Sequence, residues 1–212
     1  MSELDMNAWE RRDAYQYFSS FSNPFYMVSF RLDVSDLYRY TKERGLSFYA
    51  GMIWVCTEAL NRVEAFHMTV RDGKPIRLNR RDPSFTALKP GAEQFHIVTM
   101  EHMEDMDAFC RTADRLSKTQ DRFLDEEKES DQLIYYSCLP WIDLTAMTNE
   151  RNLSAPGALD DSIPRLCWGK YTEENGRNTL GVSMEVNHRL IDGVHIGRFA
   201  EQFGEITSGL TK

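Results

Sequence analysis

A histidine and an aspartate four residues apart are the side chains of this sequence best suited to chemistry. His188 and Asp192 lie in the run Asn187-His-Arg-Leu-Ile-Asp-Gly193 near the C-terminus. An imidazole can accept a proton from a hydroxyl near neutral pH without a large pKa shift. The run therefore predicts a general base at His188, and a histidine hydrogen-bonded within the core is the alternative from the residues alone.

The elements around this run are expected to present the histidine at the end of a strand. The residues of 180–186 are mostly apolar and have strand character, whereas Phe199, Phe203, Ile206 and Leu210 recur at helical spacing after it. Gly193 allows a tight turn beside the imidazole. Asp192 has two compatible interpretations, as the N-cap of the following helix or as a carboxylate that holds the site in its geometry.

The rest of the chain alternates between helical and strand-like periodicity without repeats or linkers. It predicts one α+β domain over residues 1–212, a two-layer sandwich with a large, mostly antiparallel sheet and helices on one side. Asp72-Gly73 marks a hairpin turn, and residues 149–163 have the composition of a loop. Helices are predicted over 9–21, 37–44, 47–63 and 105–123, and further strands over 25–32, 66–70, 75–78, 85–88, 95–100, 133–139 and 166–171.

Composition excludes several classes of function. The 212 residues carry a formal net charge of −8, which argues against nucleic-acid binding, and no apolar run is long enough to cross a membrane. The four cysteines form no metal-binding pair, so we expect no metal and a reduced, cytoplasmic setting. The acidic N-terminus is unlike a signal peptide.

Several motifs together resemble one family. Asn187-His188-x-x-x-Asp192-Gly193 resembles the H-H-x-x-x-D-G signature of chloramphenicol acetyltransferases, and also the D-H-R-x-x-D-G of dihydrolipoyl acyltransferase cores. The similarity extends in one order over residues 9 to 205. The other segments that match family motifs are Trp9-Glu-Arg-Arg12, Phe48-Tyr49, Val70-Arg-Asp-Gly73, Asp82-Pro-Ser-Phe-Thr86, Leu139-Pro-Trp141 and Lys170-Tyr171.

The resemblance implies an acetyltransferase that forms a homotrimer with active sites at subunit interfaces. Acetyl-coenzyme A enters such a site from one side as cosubstrate, and a small-molecule hydroxyl acceptor enters from the other. Chloramphenicol as the acceptor would make the protein an antibiotic-resistance enzyme. His188 is the expected base, and Arg11 is expected to pair with Asp192 without taking part in proton transfer. His195 matches a histidine of the family that is not the base.

The resemblance also assigns ligand contacts. Tyr49, Lys170 and Tyr171 match positions that contact coenzyme A, although Ser47 replaces a lysine that would meet its phosphates. The residues expected at the acceptor are Tyr17, Phe18, Tyr26, Phe95, Cys167 and Ala146. Aromatic residues in helices and strands are more often part of the core, which is the alternative for the first four.

The chain departs from the family at its oxyanion donor. Ala146 stands where the family has a serine, and losing one such donor typically costs about 2.7–4 kcal/mol. We expect Thr148, which on a strand would face the same side as Ala146, or a backbone N–H to replace it, unless Thr148 is only a loop residue. Cys167 stands in place of a family threonine, and Asn187 in place of a histidine. Acetyl transfer through Cys167 or Cys138 is a less favoured route, because buried thiols are not activated.

Three hypotheses follow from these residues. The first is an acetyl-coenzyme A-dependent O-acetyltransferase that acts on chloramphenicol or a related acceptor. The second is a catalytically impaired homologue that binds coenzyme A or an aromatic ligand, which Ala146 favours. The third is a dihydrolipoyl acyltransferase-like core, which Arg189 favours, but the sequence contains no lipoyl domain.

Overall fold

A mixed seven-stranded sheet forms the centre of the structure, a computed structural model that describes residues 2–210. The outermost residues of the predicted domain, Met1, Thr211 and Lys212, lie outside the described residues. The strands of this sheet are β2 (Phe25–Asp33), β5 (Asp82–Ala87), β6 (His96–Thr99), β7 (Leu133–Leu139), β8 (Arg165–Gly169), β9 (Thr172–Glu174) and β10 (Arg177–Asn187). Their order is β2-β10-β8-β7-β5-β6, and β9 pairs with the beginning of β10.

The sheet is antiparallel at most of its strand pairs, as predicted. The exception is β7, which runs parallel to both β5 and β8. The longest pairing joins β10 to β2, from Thr179 opposite Asp33 to Asn187 opposite Phe25. Because β10 is paired along its length, the residue that follows it is presented from a rigid element.

Helices cover one face of the sheet, which confirms the predicted layers. They are α2 (Ser35–Glu43), α3 (Phe48–Asn61), α4 (Met106–Thr119) and α5 (Gly193–Gly209), and α1 (Arg12–Ser19) precedes them. Most residues of α3 are buried, since it contacts α2, α4 and α5 as well as the sheet. Its N-cap is Ser47, whose hydroxyl accepts a hydrogen bond from the amide of Ala50. Alternate residues of β10, from Leu180 to Val186, pack against this layer.

A second, three-stranded sheet was not predicted as a unit. It consists of β1 (Ser2–Glu3), β4 (Lys74–Arg77) and β3 (Met68–Arg71), in that order. The predicted hairpin joins β3 and β4, and Asp72 and Gly73 both have positive φ at its turn (52° and 73°).

The chain between β7 and β8 crosses the face of the sheet opposite the helices. Leu144 lies so close to β8 and β10 that only glycine fits beneath it. A Cβ on Gly181 would lie 2.0 Å from the Leu144 carbonyl oxygen, and one on Gly169 would lie 2.5 Å from its nitrogen. This approach explains two glycines in otherwise regular strands.

Candidate active site

His188 follows directly on the last residue of β10 and is held there by its backbone. Its amide donates to the Pro24 carbonyl (2.8 Å), which continues the pairing of β10 with β2 past the end of both strands. The side chain remains 29% exposed. Its ring stacks on Phe18 of α1 with 3.9 Å between ring centroids, and the ring of Tyr26 lies 4.1 Å away. These two rings therefore hold the imidazole in place, while its side chain still reaches solvent.

Asp192 contacts both Arg11 and the imidazole. One carboxylate oxygen forms an ion pair with the guanidinium of Arg11, as the sequence predicts, and the other lies 3.0 Å from Nε2 of His188. The hydrogen bond from Arg11 is the main cause of a lowered pKa at Asp192. An ionised Asp192 favours the tautomer with its proton on Nε2, which leaves a lone pair on the other ring nitrogen. The sequence did not predict this direct contact with the histidine.

Arg11 also holds the backbone around the histidine. Its Nη2 donates to the His188 carbonyl (2.7 Å), and its Nε donates to the Arg189 carbonyl (3.1 Å). Arg11 immediately precedes α1, so the helix that carries Phe18 is connected to the histidine loop at two points.

Asp192 is in addition the N-cap residue of α5. Its amide donates to Nδ1 of His195 (2.9 Å), and the amide of His195 donates to the Asp192 carbonyl (3.0 Å). Burial, followed by the nearby charge of Arg11, lowers the pKa of His195, which favours the neutral ring that this bond requires. His195 is thus engaged with the start of the helix.

Only some of the residues predicted to contact the acceptor lie beside His188. Phe18 and Tyr26 contact its ring, and the Tyr26 hydroxyl donates to the Ile191 carbonyl (3.2 Å). Burial, together with the charge of Asp192, raises the pKa of Tyr26 to about 12. Tyr17 is 63% exposed and packs edge-on against Phe18. Phe95 lies elsewhere, next to β6, where it contacts Phe123.

The predicted coenzyme A contacts lie at the opposite end of the sheet. We call the end of β10 at Asn187 the base end and the end at Thr179 the far end. The ring of Tyr171 packs against Tyr38 and Phe48, and Lys170 precedes it in the chain. Pairing places these residues most of the length of β10 away from His188, roughly 25 Å at about 3.3 Å per residue.

The third predicted coenzyme A contact, Tyr49, lies inside the far half of the fold. Its hydroxyl donates to the Thr86 carbonyl (2.8 Å), its ring packs against Trp168, and burial raises its pKa. Phe95 belongs to the same end, since His96 pairs with Ala87 at the last residue of β5. Within one chain, the predicted base His188 therefore lies far from the predicted coenzyme A contacts.

The strand assumed for Thr148 is wrong. Residues 140–150 have no regular structure, because this segment crosses the sheet instead of joining it. The amide of Met147 donates to Ser183 (2.9 Å) and that of Asn149 to Glu185 (3.2 Å), both on β10. Thr148 thus lies level with the middle of β10, on the order of 13 Å along the strand from His188 of the same chain. Ala146 and Thr148 are both exposed in a single chain.

The cysteines of the alternative thiol route have poor chemistry for it. Cys167 on β8 is fully buried, and burial raises its pKa to about 11. Cys138 on β7 is partly buried, and burial raises its pKa to about 12. A raised pKa disfavours the thiolate, which is the reactive form.

Two further findings concern the described residues as a whole. Between residues 2 and 210, no helix is long and apolar enough to cross a membrane. Over the same range, no cluster of histidine, cysteine and carboxylate side chains is arranged to hold a metal ion.

Sequence reasoning assigned no role beside the histidine to Asn187, Arg189 or Asp160. Asn187 is 2% exposed and Arg189 is 4% exposed, and the structure joins both to the turn that contains Asp160. A charged residue within an apolar run, directly after the candidate base, was the signal that could have found this contact.

The architecture defines a class of protein. The fold is that of the coenzyme A-dependent acyltransferases. A solved chloramphenicol acetyltransferase matches it with a TM-score of 0.84 at 22% identity, over 98% of this chain and 100% of that one. The dihydrolipoamide acetyltransferase of Azotobacter vinelandii matches with a TM-score of 0.69 at 16% identity, over 94% of this chain and 88% of that one.

Sequence comparison narrows the class to a family. The family model for chloramphenicol acetyltransferase matches residues 1–204, and the chain belongs to that family. Chloramphenicol acetyltransferase 2 of Escherichia coli is 27% identical over 203 residues, which covers 93% of this chain and 92% of the relative. The expected acyltransferase class is confirmed.

Proposed function

We propose that this protein transfers the acetyl group of acetyl-coenzyme A to a hydroxyl of a small molecule, chloramphenicol or a related acceptor, with His188 as general base. The contact of Asp192 with both His188 and Arg11 is the observation that carries the proposal. It fixes an imidazole at the end of a rigid strand and leaves one ring nitrogen able to accept a proton.

In the proposed reaction His188 accepts the proton of the acceptor hydroxyl while its oxygen attacks the acetyl carbonyl carbon. A new carbon–oxygen bond forms, the carbon–sulfur bond of the thioester breaks, and coenzyme A leaves with the proton from His188. Asp192 and Arg11 keep the ring in orientation. An oxyanion donor must lie about 3 Å from the carbonyl oxygen, and Thr148 or a backbone N–H supplies it in place of the serine.

The separation between the two ends of β10 supports a shared site. An oxyanion donor on the segment 146–148 is too distant to act beside His188 of its own chain. We call residues 140–150, which cross the face of the sheet, the crossing segment. In a homotrimer the base end of one subunit would meet the crossing segment and the far end of its neighbour. Exposed apolar residues on these parts, Trp141 and Ile142 on the crossing segment and Phe95 near the far end, support contact between subunits.

The far end contains a candidate groove for coenzyme A. A groove of about 490 Å³ there is lined by Tyr38, Arg39 and Lys42 among others, next to the ring of Tyr171. The groove contains Glu43 and Glu173 as well, and we propose that Arg39 and Lys42 meet the phosphates in place of the lysine expected at Ser47. We propose that Tyr171 and Lys170 also contact the phosphate-bearing part of coenzyme A.

Thiol release from acetyl-coenzyme A tests the activity. Purified protein is incubated with a thiol reagent and either chloramphenicol or a panel of small alcohols. We expect acceptor-dependent release in the wild type and a loss of roughly 10²- to 10⁴-fold in His188→Gln. The control is His67→Gln, whose histidine lies outside the site. Activity that survives in His188→Gln refutes the base.

Mixed assemblies test the shared site. His188→Ala removes the base, and Ala146→Trp places a bulky ring on a position that is exposed in a single chain. Each variant alone should be inactive. Coexpressed chains should regain activity, because some interfaces then combine an intact histidine with an intact crossing segment. No recovery in verified mixed oligomers would contradict a site shared between subunits.

The impaired homologue is the second candidate, and Ala146 is the observation that favours it. It predicts normal binding of coenzyme A without thiol release for any acceptor. The resistance function is tested separately, since a cytoplasmic enzyme that acetylates chloramphenicol should raise the inhibitory concentration of the drug for cells that express it. His188→Gln must abolish that increase.

A further inference from the structure

A second set of contacts, made by the side chains of Asn187 and Arg189, holds the backbone next to His188. We call this set one anchor and the contacts of Arg11 the other. Asn187 uses the full hydrogen-bonding capacity of its amide there. Its Nδ2 donates to the carbonyls of Leu159 (3.1 Å) and Asp161 (2.9 Å). Its Oδ1 accepts from the backbone amide and the Nε of Arg189 (3.1 and 3.3 Å). A histidine at this position has only two ring nitrogens and could not make all four bonds.

Arg189 extends this anchor to a second charged residue. Its guanidinium lies 3.3 and 3.4 Å from Oδ1 of Asp160 and 5.6 Å from the ring centre of Tyr15. The other oxygen of Asp160 accepts from the amide of Gly73 (2.9 Å), and the Tyr15 hydroxyl donates to the Gly73 carbonyl (2.7 Å). The hairpin tip, α1 and the 158–161 turn thus meet at the residue next to His188.

The two anchors act on different groups. Arg11 contacts the carbonyls of His188 and Arg189 and the side chain of Asp192. Asn187 and Arg189 instead use their side chains to fix the residues on either side of His188. Because a displacement of about 1 Å can lower the rate of a positioned reaction roughly 10²-fold, both anchors bear on the base.

We propose that Arg189 and Asp160 are positioning residues for His188, joined through Asn187, and that they act in addition to the Arg11–Asp192 pair. The proposal rests on the proposed function for its kinetic effect. Neither residue touches a substrate in this account, and both act through the backbone of His188.

The first test is kinetic. Arg189→Met and Asp160→Asn should each lower kcat about 10- to 100-fold, and KM for acetyl-coenzyme A should change less than about twofold, since the cofactor contacts lie at the far end. The double variant should be no worse than the poorer single variant, because both substitutions remove one interaction. Arg189→Lys should recover part of kcat, since it keeps the charge opposite Asp160.

The second test needs no activity and separates a failure of this proposal from a failure of the proposed function. Hydrogen exchange should become faster at the amides of His188, Leu190 and Ile191 in Arg189→Met and stay unchanged in the central strands. The control is Arg122→Met, which removes an exposed ion pair with Asp125 far from the site. Unchanged exchange at these amides, additive losses in the double variant, or faster exchange throughout the protein would overturn the proposal.

Discussion

The two ends of the central sheet are built from different interactions. At the base end, buried arginines hold irregular backbone: Arg189 binds Asp160, Arg151 binds Glu185 and Asp161, and Arg81 donates to the carbonyls of Met68 (2.7 Å) and Asp131 (2.9 Å). At the far end, the rings of Tyr38, Phe48 and Tyr171 pack on one another, and Tyr49 packs on Trp168.

The difference follows from what each end contains. The chain at the base end turns several times within the fold, and its carbonyl groups need donors that regular pairing cannot supply. A guanidinium has five N–H groups in a fixed plane and can serve several carbonyls at once. Burial lowers the pKa of Arg81 to about 10, and it remains charged at neutral pH. The base end is therefore held largely by directional bonds, whereas the far end is held largely by contacts between aromatic rings.

The largest expected change is a gain of activity from Ala146→Ser. A hydroxyl at this position of the crossing segment should add an oxyanion donor to the one that Thr148 or a backbone N–H supplies, and should raise kcat by at most roughly 10²- to 10³-fold. Steady-state kinetics with saturating acetyl-coenzyme A measure the effect, with Ala155→Ser in the neighbouring loop as control. A kcat no higher than that of the wild type would mean that Thr148 or a backbone N–H already fills this role.

The next largest effect is expected when substitutions of two adjacent arginines, Arg11 and Arg12, are compared. Arg11→Met removes the pair with Asp192 and two bonds to carbonyls, and should lower kcat about 10- to 100-fold and the unfolding free energy by about 1–3 kcal/mol. Arg12→Met removes only an exposed pair with Asp13, worth about 0–1 kcal/mol. Denaturant unfolding and kinetics of both variants provide the comparison. Equal effects would contradict a special role of Arg11.

A pH titration examines the same pair. Arg11 holds the pKa of Asp192 below its usual value in the folded protein. The stabilisation is therefore present above the unfolded-chain pKa of about 3.9 and is lost as pH falls through the lower folded-state value. The difference in unfolding free energy between the wild type and Asp192→Asn should shrink as pH falls below about 4. A difference that grows in acid would show that the carboxylate is not stabilised by its partners.

The smallest effect is expected at the far end. Lys170→Met removes one exposed charge and should raise KM for acetyl-coenzyme A about two- to fivefold while kcat stays the same. Lys118→Met, on the exposed side of α4, serves as the matched control. If kcat falls instead and KM does not change, Lys170 belongs to the chemistry and the division between the two ends is incorrect.

Periodicity was sufficient for most of the fold. The apolar circumference of α3, the alternation in β2 and the Asp72-Gly73 turn are local signals, so their elements were predicted within a few residues. The crossing segment was misjudged because its course depends on Leu144 packing against two distant glycines, which no local pattern reveals. The small sheet β1-β4-β3 was missed for the same reason, since β1 pairs with a strand far along the chain.

The site was predicted in part. The motif that contains His188 and Asp192, together with the expected pairing of Asp192 with Arg11, identified the residues at the base end of the sheet. The structure brings these three residues together. The contact of Asp192 with the imidazole could not be foreseen, because it depends on side-chain geometry. Nor could the distance between His188 and Lys170, which depends on the register of β10 against β8 and β9.

The sequence alone determined the kind of protein, because the histidine motif, the hairpin and the Leu139-Pro-Trp141 segment recur in a family order that covers the chain. It also identified the serine that is missing at Ala146. Only the tertiary structure decided which of these residues can meet within one subunit. Strand pairing sets that distance, and it leaves the proposed base, His188, at one end of β10 and the expected cofactor contacts at the other.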